Sequence, residues 1–206
     1  LVEHAWNTAR YSVYYGEGRD TYDVRGRVAH ESIFNTNDGN YRCPGSQQGY
    51  SPFSTWTRGL AWAMCGFAEQ LEFLQTIDDD ALRTMGGRDD VEGFMLKAAR
   101  ATCDFYLENV PTDGIPYWDT AAPMLAGSLR HLERPADPYN EHEPVDSSAA
   151  AIAAQGLLRL GRYLQSKGLD EEGRWNWQAG MTVLDALLAS PYLSTEESHQ
   201  GLILHS

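Results

Sequence analysis

Apolar residues recur at helical spacing in five stretches of the chain, and the period-two alternation typical of strands is scarce. This spacing predicts helices over residues 1–15, 55–77, 91–109, 146–166 and 171–189. The pattern therefore favours an all-α fold in a single domain over residues 1–206. Connections that are alternately long and short are typical of stacked helical hairpins, which form either a toroid or a solenoid.

The sequence has no close internal repeat, which weighs against regular solenoid families. Five helices are too few to close a toroid, so we expect an incomplete one. Ser54 or Thr55 is placed to cap the second helix, and Asp146, directly before SSAAAIAA, is placed to cap the fourth. Gly168 is the predicted end of that fourth helix.

A long polar connection, residues 16–53, separates the first two helices, and residues 28–34 within it could form a short strand. Connections of this length usually carry function or are disordered. This one contains hydrogen-bonding groups of the kind a polyhydroxylated ligand requires, namely His30, Asp38, Gln47, Gln48 and Tyr50. Polar residues are also expected in any loop, and Asp38-Gly39 is a tight-turn signal.

Three residues at the start of the second helix could recognise a sugar acid. Arg58 and Trp62 are four residues apart and share a helix face, with Trp56 just before them. An arginine can hold a carboxylate bidentately, while an indole can stack on the apolar face of a pyranose. The alternative is that the tryptophans belong to the core and Arg58 forms a structural ion pair. On spacing alone, packing is the favoured account.

Two carboxylates also deserve a functional interpretation. Trp118 and Asp119, in PYWD, could form a platform and an acid, or Asp119 could stabilise a turn. Asp146 could act similarly, although its position favours helix capping. Glycoside hydrolysis usually requires two acids that flank the scissile bond, and the sequence does not pair any two of these.

Composition and net charge limit the kinds of molecule that this chain can be expected to bind. The chain is 42% hydrophobic and 22% charged, an ordinary globular balance, and its 16 Lys+Arg against 29 Asp+Glu give a net charge of −13. Such a field disfavours nucleic acid and anionic membrane surfaces as partners. No apolar run approaches the ~20 residues needed to span a bilayer. An anionic small substrate would require a local cation.

No cofactor or metal is predicted. The three cysteines are widely spaced, and Cys65 and Cys103 fall in apolar helical patterns that indicate buried thiols. The histidines lack zinc-ligand spacing. A Gly-rich phosphate loop and a GxSxG nucleophile elbow are both missing from the sequence. The pattern leaves the cellular compartment open.

Several separated motifs resemble the unsaturated glucuronyl hydrolases, glycoside hydrolase family 88, and less closely the unsaturated rhamnogalacturonyl hydrolases of family 105. The first is QGYSPFSTWTRGLAWAMCGFA, over residues 48–68, which is similar to the family's QGY, W-x-RG-x-AW and YGFA pattern. The others are VPTDGIPYWDTAAP at 110–123, DSSAAAIAAQGLL at 146–158 and the closing LILHS. They occur in the family's order over most of the chain.

The resemblance implies an (α/α)6 toroid with its active site in a central cleft. The implied substrate is an oligosaccharide that ends in an unsaturated uronic acid, and the implied reaction is hydration of its C4=C5 double bond. An aspartate donates the proton and activates water, and the resulting hemiketal collapses to release the next sugar. Gln48, Trp56, Arg58 and Trp62 match family residues that line the substrate subsite, and His30 matches a family histidine before the glutamine. His205 is a weaker candidate.

The chain also departs from the family. The two essential aspartates of the family lie on segments before the region that matches Leu1, so we expect the catalytic acid to be outside this chain. Residues 17–27 and 125–142 form longer connections than is usual in the family, which affects the subsites. Two alternatives to an enzyme portion stay open, namely a sugar-binding toroid without catalysis and a helical scaffold without a ligand site.

Overall fold

The computed structural model describes residues 1–127 and 130–206 and consists mainly of helices with one small hairpin. The helices are α1 (Val2–Tyr11), α2 (Thr57–Leu74), α3 (Asp79–Leu82), α4 (Arg88–Glu108), α5 (Ser147–Ser166) and α6 (Asp170–Leu187). Short 3-10 helices cover Arg83–Met85, Pro123–Gly127 and His131–Glu133. The strands are β1 (Glu31–Phe34) and β2 (Tyr41–Gly45). The predicted helical fold is confirmed.

The long helices form two adjacent antiparallel pairs. Helix α4 packs against α2, α6 packs against α5, and the two pairs meet where α2 contacts α5. Helix α1 packs on α4. This is the hairpin stacking that the alternation of short and long connections predicts. The arrangement places the N-terminal ends of α2 and α5 in neighbouring positions, which matters for the site.

The core lies between these helices and follows their apolar stripes. In α2 the buried side chains include Leu60, Met64, Phe67 and Leu71, which recur every three or four residues on one face. The facing side of α5 is rich in alanine and glycine. A Cβ added at Gly156 would lie 2.9 Å from the backbone nitrogen of Cys65, so small residues here permit close approach of the two helices.

The contact between α5 and α6 depends on glycine in the same way. A Cβ at Gly161 would meet the carbonyl oxygen of Gly173 at 2.8 Å and the backbone nitrogen of Trp177 at 2.9 Å. Backbone atoms cannot yield as a flexible side chain can. The composition of these helices therefore fixes how closely the two pairs pack.

Two predicted helix boundaries are wrong. The first helix ends at Tyr11 rather than near residue 15, because Val13 forms a β-bridge with Val28 and leaves the helical path. The second begins at Thr57 with Trp56 at the N-cap position and without a side-chain cap. Thr55, predicted to be a candidate cap, instead pairs its hydroxyl with the backbone of Val28. Ser54, the other candidate, hydrogen bonds within its own turn to Ser51.

The predicted cap of α5 is confirmed. Asp146 accepts a hydrogen bond at 2.8 Å from the backbone N–H of Ala149, three residues into the helix. At the other end, Gly168 has a φ of +76°, which is the left-handed conformation favoured by glycine after a helix. Cys65 and Cys103 are buried as predicted, whereas Cys43 is exposed on β2.

The hairpin contains one strand that the sequence predicts and one that it misses. Strands β1 and β2 run antiparallel, with Glu31 opposite Gly45 and Ile33 opposite Cys43. The pairing folds the long connection back on itself, so that His30, just before β1, lies beside the residues that follow β2. Among the described helices, none combines the length and apolarity that a bilayer-spanning segment requires.

Candidate functional site

His30 organises the loop that contains Gln48. Its Nδ1 accepts hydrogen bonds from the backbone N–H groups of Gln47, at 3.1 Å, and Gln48, at 3.2 Å. A nitrogen that accepts two such bonds carries no proton, so the neutral ring has its proton on Nε2. The ring can therefore offer an N–H donor on the side away from the loop.

Trp56 lies against this histidine. The two ring centroids are 4.9 Å apart with a tilt of 57°. On its other side the indole covers Gly59, where an added Cβ would be 2.8 Å from the indole Cε3. Glycine one turn into α2 thus leaves room for the ring to fold back over the helix. The indole is held between an imidazole and a helix backbone.

Arg58 lies near the start of α2 and pairs with the cap of α5. Its Nε donates to Oδ2 of Asp146 at 2.9 Å, and the Asp146 side chain is only 3% exposed. The Arg58 side chain is 36% exposed. Among the described residues, neither Nη atom of Arg58 has a hydrogen-bond partner. The open end of the guanidinium is therefore oriented by a buried carboxylate and available to a ligand.

Trp62 lies one turn further along α2 and is 58% exposed. It borders a cleft of about 260 Å³ between α1 and α2, together with His30 and Trp56. Helix α1 contributes His4 and Thr8 to the lining, and Ser12, directly after the helix, continues this polar row at a spacing of four residues. The sequence analysis did not single out these α1 residues, although their spacing was visible.

The two carboxylates singled out in the sequence are both engaged by other parts of the chain. Asp119 is fully buried and accepts hydrogen bonds from the backbone N–H groups of Tyr50 and Ala121. Asp146 caps α5 and pairs with Arg58. Trp118 donates from Nε1 to the buried Glu143 at 2.7 Å. Neither aspartate is placed as a free acid.

The remaining candidates have different surroundings. Asp38 accepts hydrogen bonds from Asn35 and from the backbone of Asn40, which confirms its turn role. His205 has a φ of +63°, and its carbonyl oxygen accepts a hydrogen bond from the backbone of Ser147, at the beginning of α5. It therefore lies beside the Asp146 cap. Within the described residues, no three His, Cys, Asp or Glu side chains gather as a metal site.

The structure brings three of the five predicted site residues together in one cleft, whereas Gln48 and Arg58 are outside its lining. His30, Trp56 and Trp62 line one cleft, Gln48 lies in the loop held by His30, and Arg58 is on the exposed start of α2. We call this set, His30, Gln48, Trp56, Arg58 and Trp62, the aromatic-arginine face. Two indoles, a guanidinium fork and amide and imidazole donors suit a ring that is apolar on one face and carries a carboxylate and hydroxyl groups. The ion pair offered as the alternative role of Arg58 is confirmed, with Asp146 as its partner. The sequence could not name that partner, because nothing local indicates a contact over 88 residues.

Comparisons with known proteins give a consistent result. The unsaturated glucuronyl hydrolase of Bacillus sp. GL1 is 32% identical over 158 residues, which cover 77% of this chain and 33% of that protein. The one from Formosa agariphila is 30% identical over 168 residues, covering 81% of this chain and 32% of the relative. The chain therefore spans about a third of the length of the curated relatives it matches. No family model matches the chain.

Solved structures show the same likeness. The unsaturated glucuronyl hydrolase of Bacillus sp. GL1, responsible for the degradation of glycosaminoglycan, superposes with a TM-score of 0.65 at 28% identity. A variant enzyme of this kind with the oligosaccharide dGlcA-Glc-Rha-Glc gives 0.66 at 29% identity. Each match covers 97% of this chain and 42% of the other. The described helices therefore have the α/α toroid arrangement of the matching part of these structures. The chain is a homologue of the unsaturated glucuronyl hydrolases over most of its length.

Proposed function

We propose that this chain is the substrate-holding portion of a glycoside hydrolase that acts on oligosaccharides ending in an unsaturated uronic acid. The observation that carries the proposal is the aromatic-arginine face, in which a buried carboxylate orients Arg58 and leaves its guanidinium fork open beside exposed Trp62. Homology to the unsaturated glucuronyl hydrolases supports it. Residues 1–206 would form a single portion of the toroid domain.

The charge of the site fits an anionic ligand despite the net charge of −13. Asp146 pairs with Arg58 through Nε alone, so the two Nη atoms can bind the uronate carboxylate bidentately. Arg58 lies in the first turn of α2, where the helix dipole adds partial positive charge. The Nη atoms would contact the ligand directly, whereas exposed charges more than a Debye length away are largely screened.

The neighbouring residues of the face would hold the ring. Trp62 offers an exposed indole for stacking, and Trp56 gives a second aromatic wall fixed by His30 and Gly59. The Nε2–H of His30 and the side-chain amide of Gln48 are the donors for ring oxygens. We therefore assign binding and orientation of the terminal uronic acid to His30, Gln48, Trp56, Arg58 and Trp62.

The proposed reaction is hydration of the C4=C5 double bond. A proton adds to C4, hydroxide from water adds to C5, and the hemiketal opens to release the adjoining sugar. The carboxylates at the face are already engaged, since Asp119 is buried under two backbone N–H groups and Asp146 is bonded to Arg58 and Ala149. We propose that the acid that protonates C4 is supplied by residues other than those of this chain.

The test uses the gene-encoded protein that contains residues 1–206 and an unsaturated uronic-acid disaccharide. The conjugated enol-ether carboxylate absorbs in the near ultraviolet, and hydration removes that absorbance. We expect the absorbance to decay with wild-type protein and to decay much more slowly with Arg58→Ala. Binding is measured in parallel by calorimetry.

The two measurements separate the possible outcomes. Decay of the absorbance supports the hydrolase. Retained absorbance with tight binding that depends on Arg58 would instead indicate a sugar-binding toroid without catalysis. Retained absorbance without binding would refute both and favour a helical scaffold.

A further inference from the structure

Asp119 is a fully buried carboxylate that lies behind the aromatic-arginine face. Its Oδ2 accepts a hydrogen bond at 2.8 Å from the backbone N–H of Tyr50, two residues after Gln48. Its Oδ1 accepts another at 2.9 Å from the backbone N–H of Ala121, within its own turn. One oxygen therefore maintains a local turn, and the other reaches a loop 69 residues away.

The backbone of Asp119 is tied to the beginning of α2. Asp119 forms an antiparallel β-bridge with Trp56, and the N–H of Thr57 donates to the carbonyl of Trp118 at 3.1 Å. The N–H of Thr120 donates to the carbonyl of Thr55 at 3.0 Å. The segment around Asp119 is consequently fixed relative to Trp56. The Asp119 side chain therefore holds the Gln48 loop at a defined position relative to Trp56.

Gly49 shows how closely the loop rests on this carboxylate. A Cβ added there would be 3.0 Å from Oδ2 of Asp119, 2.7 Å from Oγ of Ser46 and 3.2 Å from Cβ of Trp56. A side chain at residue 49 would therefore require Ser46, Asp119 or the loop itself to shift. The hydrogen bond from Tyr50 and the absence of a side chain at Gly49 both hold the backbone of residues 48–50 close to Asp119.

We propose that Asp119 is a positioning residue for substrate recognition, which sets the place of Gln48 relative to Trp56 through the N–H of Tyr50. This inference rests on the proposed function, since it assumes that Gln48 and Trp56 contact the same ligand. Asp119 does not touch the substrate itself. A charged acceptor buried against a backbone N–H makes a short, strong bond, and a displacement of ~1 Å at a binding group can reduce efficiency by about a hundredfold.

Asp119→Asn isolates the long-range contact. Asparagine keeps the side-chain oxygen that the turn at Ala121 requires, and both residue types favour such turns. Its amide nitrogen then faces the N–H of Tyr50, so that two donors oppose each other. The variant therefore retains the local turn and loses the bond to the Gln48 loop.

Asp113→Asn is the matched control. Asp113 also accepts a hydrogen bond two residues ahead, from Ile115, and a long-range one, from Ala136, each at 3.2 Å. It holds a different segment and makes no hydrogen bond to the Gln48 loop. Asp113→Asn therefore removes a long-range hydrogen bond of the same kind, but in a segment that is not proposed to position a substrate-binding residue.

Gly49→Ala tests the same placement without changing charge. The added methyl group must displace the loop, Ser46 or Asp119, because the space is already filled. If both variants act through the position of Gln48, their effects on binding will be less than additive in the double variant. This variant also keeps the inference testable if Asp119→Asn fails to fold.

The experiment measures the Kd of the gene-encoded protein for an unsaturated uronic-acid disaccharide, with thermal melting and backbone amide NMR of the ligand-free protein. We expect Asp119→Asn to raise Kd about tenfold or more, with amide shifts concentrated at residues 46–56. Asp113→Asn should leave Kd unchanged, whatever its melting temperature. The inference is overturned if Asp119→Asn leaves Kd within about twofold of wild type or raises it no more than the control does.

The NMR measurement separates this inference from the proposed function. If wild-type protein does not bind the disaccharide, the proposed function fails. The ligand-free amide shifts then decide the positioning role alone. If the amide resonances of Tyr50 and its neighbours shift in Asp119→Asn, the positioning role of Asp119 is supported. If the amide resonances of residues 46–56 are unchanged, that role is refuted.

Discussion

Arg58 and Asp146 join the first turn of α2 to the cap of α5 through a 2.9 Å bond between Nε and Oδ2. The other oxygen of the same carboxylate accepts the N–H of Ala149. A single buried side chain therefore both starts a core helix and aims the guanidinium. The two roles can be separated by substitution.

Arg58→Ala is expected to weaken binding of an unsaturated uronic-acid disaccharide by about 1.5–3 kcal/mol, because it removes a charge-assisted contact. Arg58→Lys should recover only part of this, since an ammonium lacks the planar fork. Calorimetry at low and moderate salt provides the measurement. Arg159→Ala is the matched control, because Arg159 also pairs across α2 and α5, with Glu69 and Glu72, at a similar exposure of 38%. Equal losses in both variants would contradict the assignment of Arg58.

Asp146→Ala is expected to lower the free energy of unfolding by about 1–2 kcal/mol through loss of the helix cap. For a chain of this size that corresponds to a fall in Tm of roughly 2–8 °C. Asp146→Asn keeps an oxygen for the cap and should melt close to wild type. It neutralises the partner of Arg58, so its binding should change more than its stability. Similar melting of the Ala and wild-type proteins would show that the cap contributes little.

Trp62→Ala should weaken sugar binding by about 1–2 kcal/mol and leave the melting temperature nearly unchanged, because its indole is more exposed than buried. Trp62→Phe should retain part of the affinity. Trp175→Ala is the control, since Trp175 is 63% exposed on α6 and lies outside the aromatic-arginine face. The Kd for the disaccharide is measured for each variant. Equal weakening in Trp62→Ala and Trp175→Ala would contradict a stacking role for Trp62.

Glu92 should make the stability of the helix pairs depend on acid. Burial raises the pKa of its carboxyl, but hydrogen bonds from Lys167, Arg88 and Tyr163 outweigh burial and hold the pKa below its ordinary 4.5. A carboxyl with a lowered pKa stabilises the fold above pH 4.5, and this contribution is lost as the pH falls through the lowered value. Glu92→Gln should therefore cost about 1–3 kcal/mol at neutral pH.

The difference between wild type and Glu92→Gln should shrink below pH 4.5 in denaturant unfolding followed by circular dichroism. Glu17→Gln is the control, because Glu17 pairs with Lys97 on the surface, where both side chains are more than half exposed. It should have little effect at any pH. A constant difference from neutral to acid pH for Glu92→Gln would mean that packing, and not charge, explains its contribution.

The helices could be predicted from the sequence because each buries one face, and the residues on a buried helix face are apolar and recur every three or four positions. Leu60, Met64, Phe67 and Leu71 of α2 are all buried. The cap of α5 was equally local, since Asp146 and Ala149 are three residues apart. The cap of α2 failed for a tertiary reason, namely that Thr55 is engaged by Val28. Strand β2 carries Pro44 and Gly45, which are poor strand formers, so its pairing with β1 left little trace.

The candidate site also has a part that the sequence predicts and a part that only the structure shows. The i, i+4 spacing of Arg58 and Trp62 was visible, and the structure confirms that both are accessible on α2. Their role in binding stays a prediction. The partners that orient the site were not visible, because Asp146 and Asp119 come from segments 88 and 69 residues away from the groups they hold. Sequence spacing identifies residues of suitable chemistry, whereas only the packed chain shows what fixes them.

The separation of these partners also determines when recognition can arise during folding. A synthetic peptide of residues 46–62 would contain four of the five side chains of the aromatic-arginine face, but neither His30 nor the carboxylates that hold Tyr50 and Arg58. Contacts between segments so distant along the chain form late, after the loops between them have closed. Affinity for the sugar should therefore appear together with cooperative folding of α2 and α5. Ligand binding in turn should protect the amides of both helix starts from hydrogen exchange.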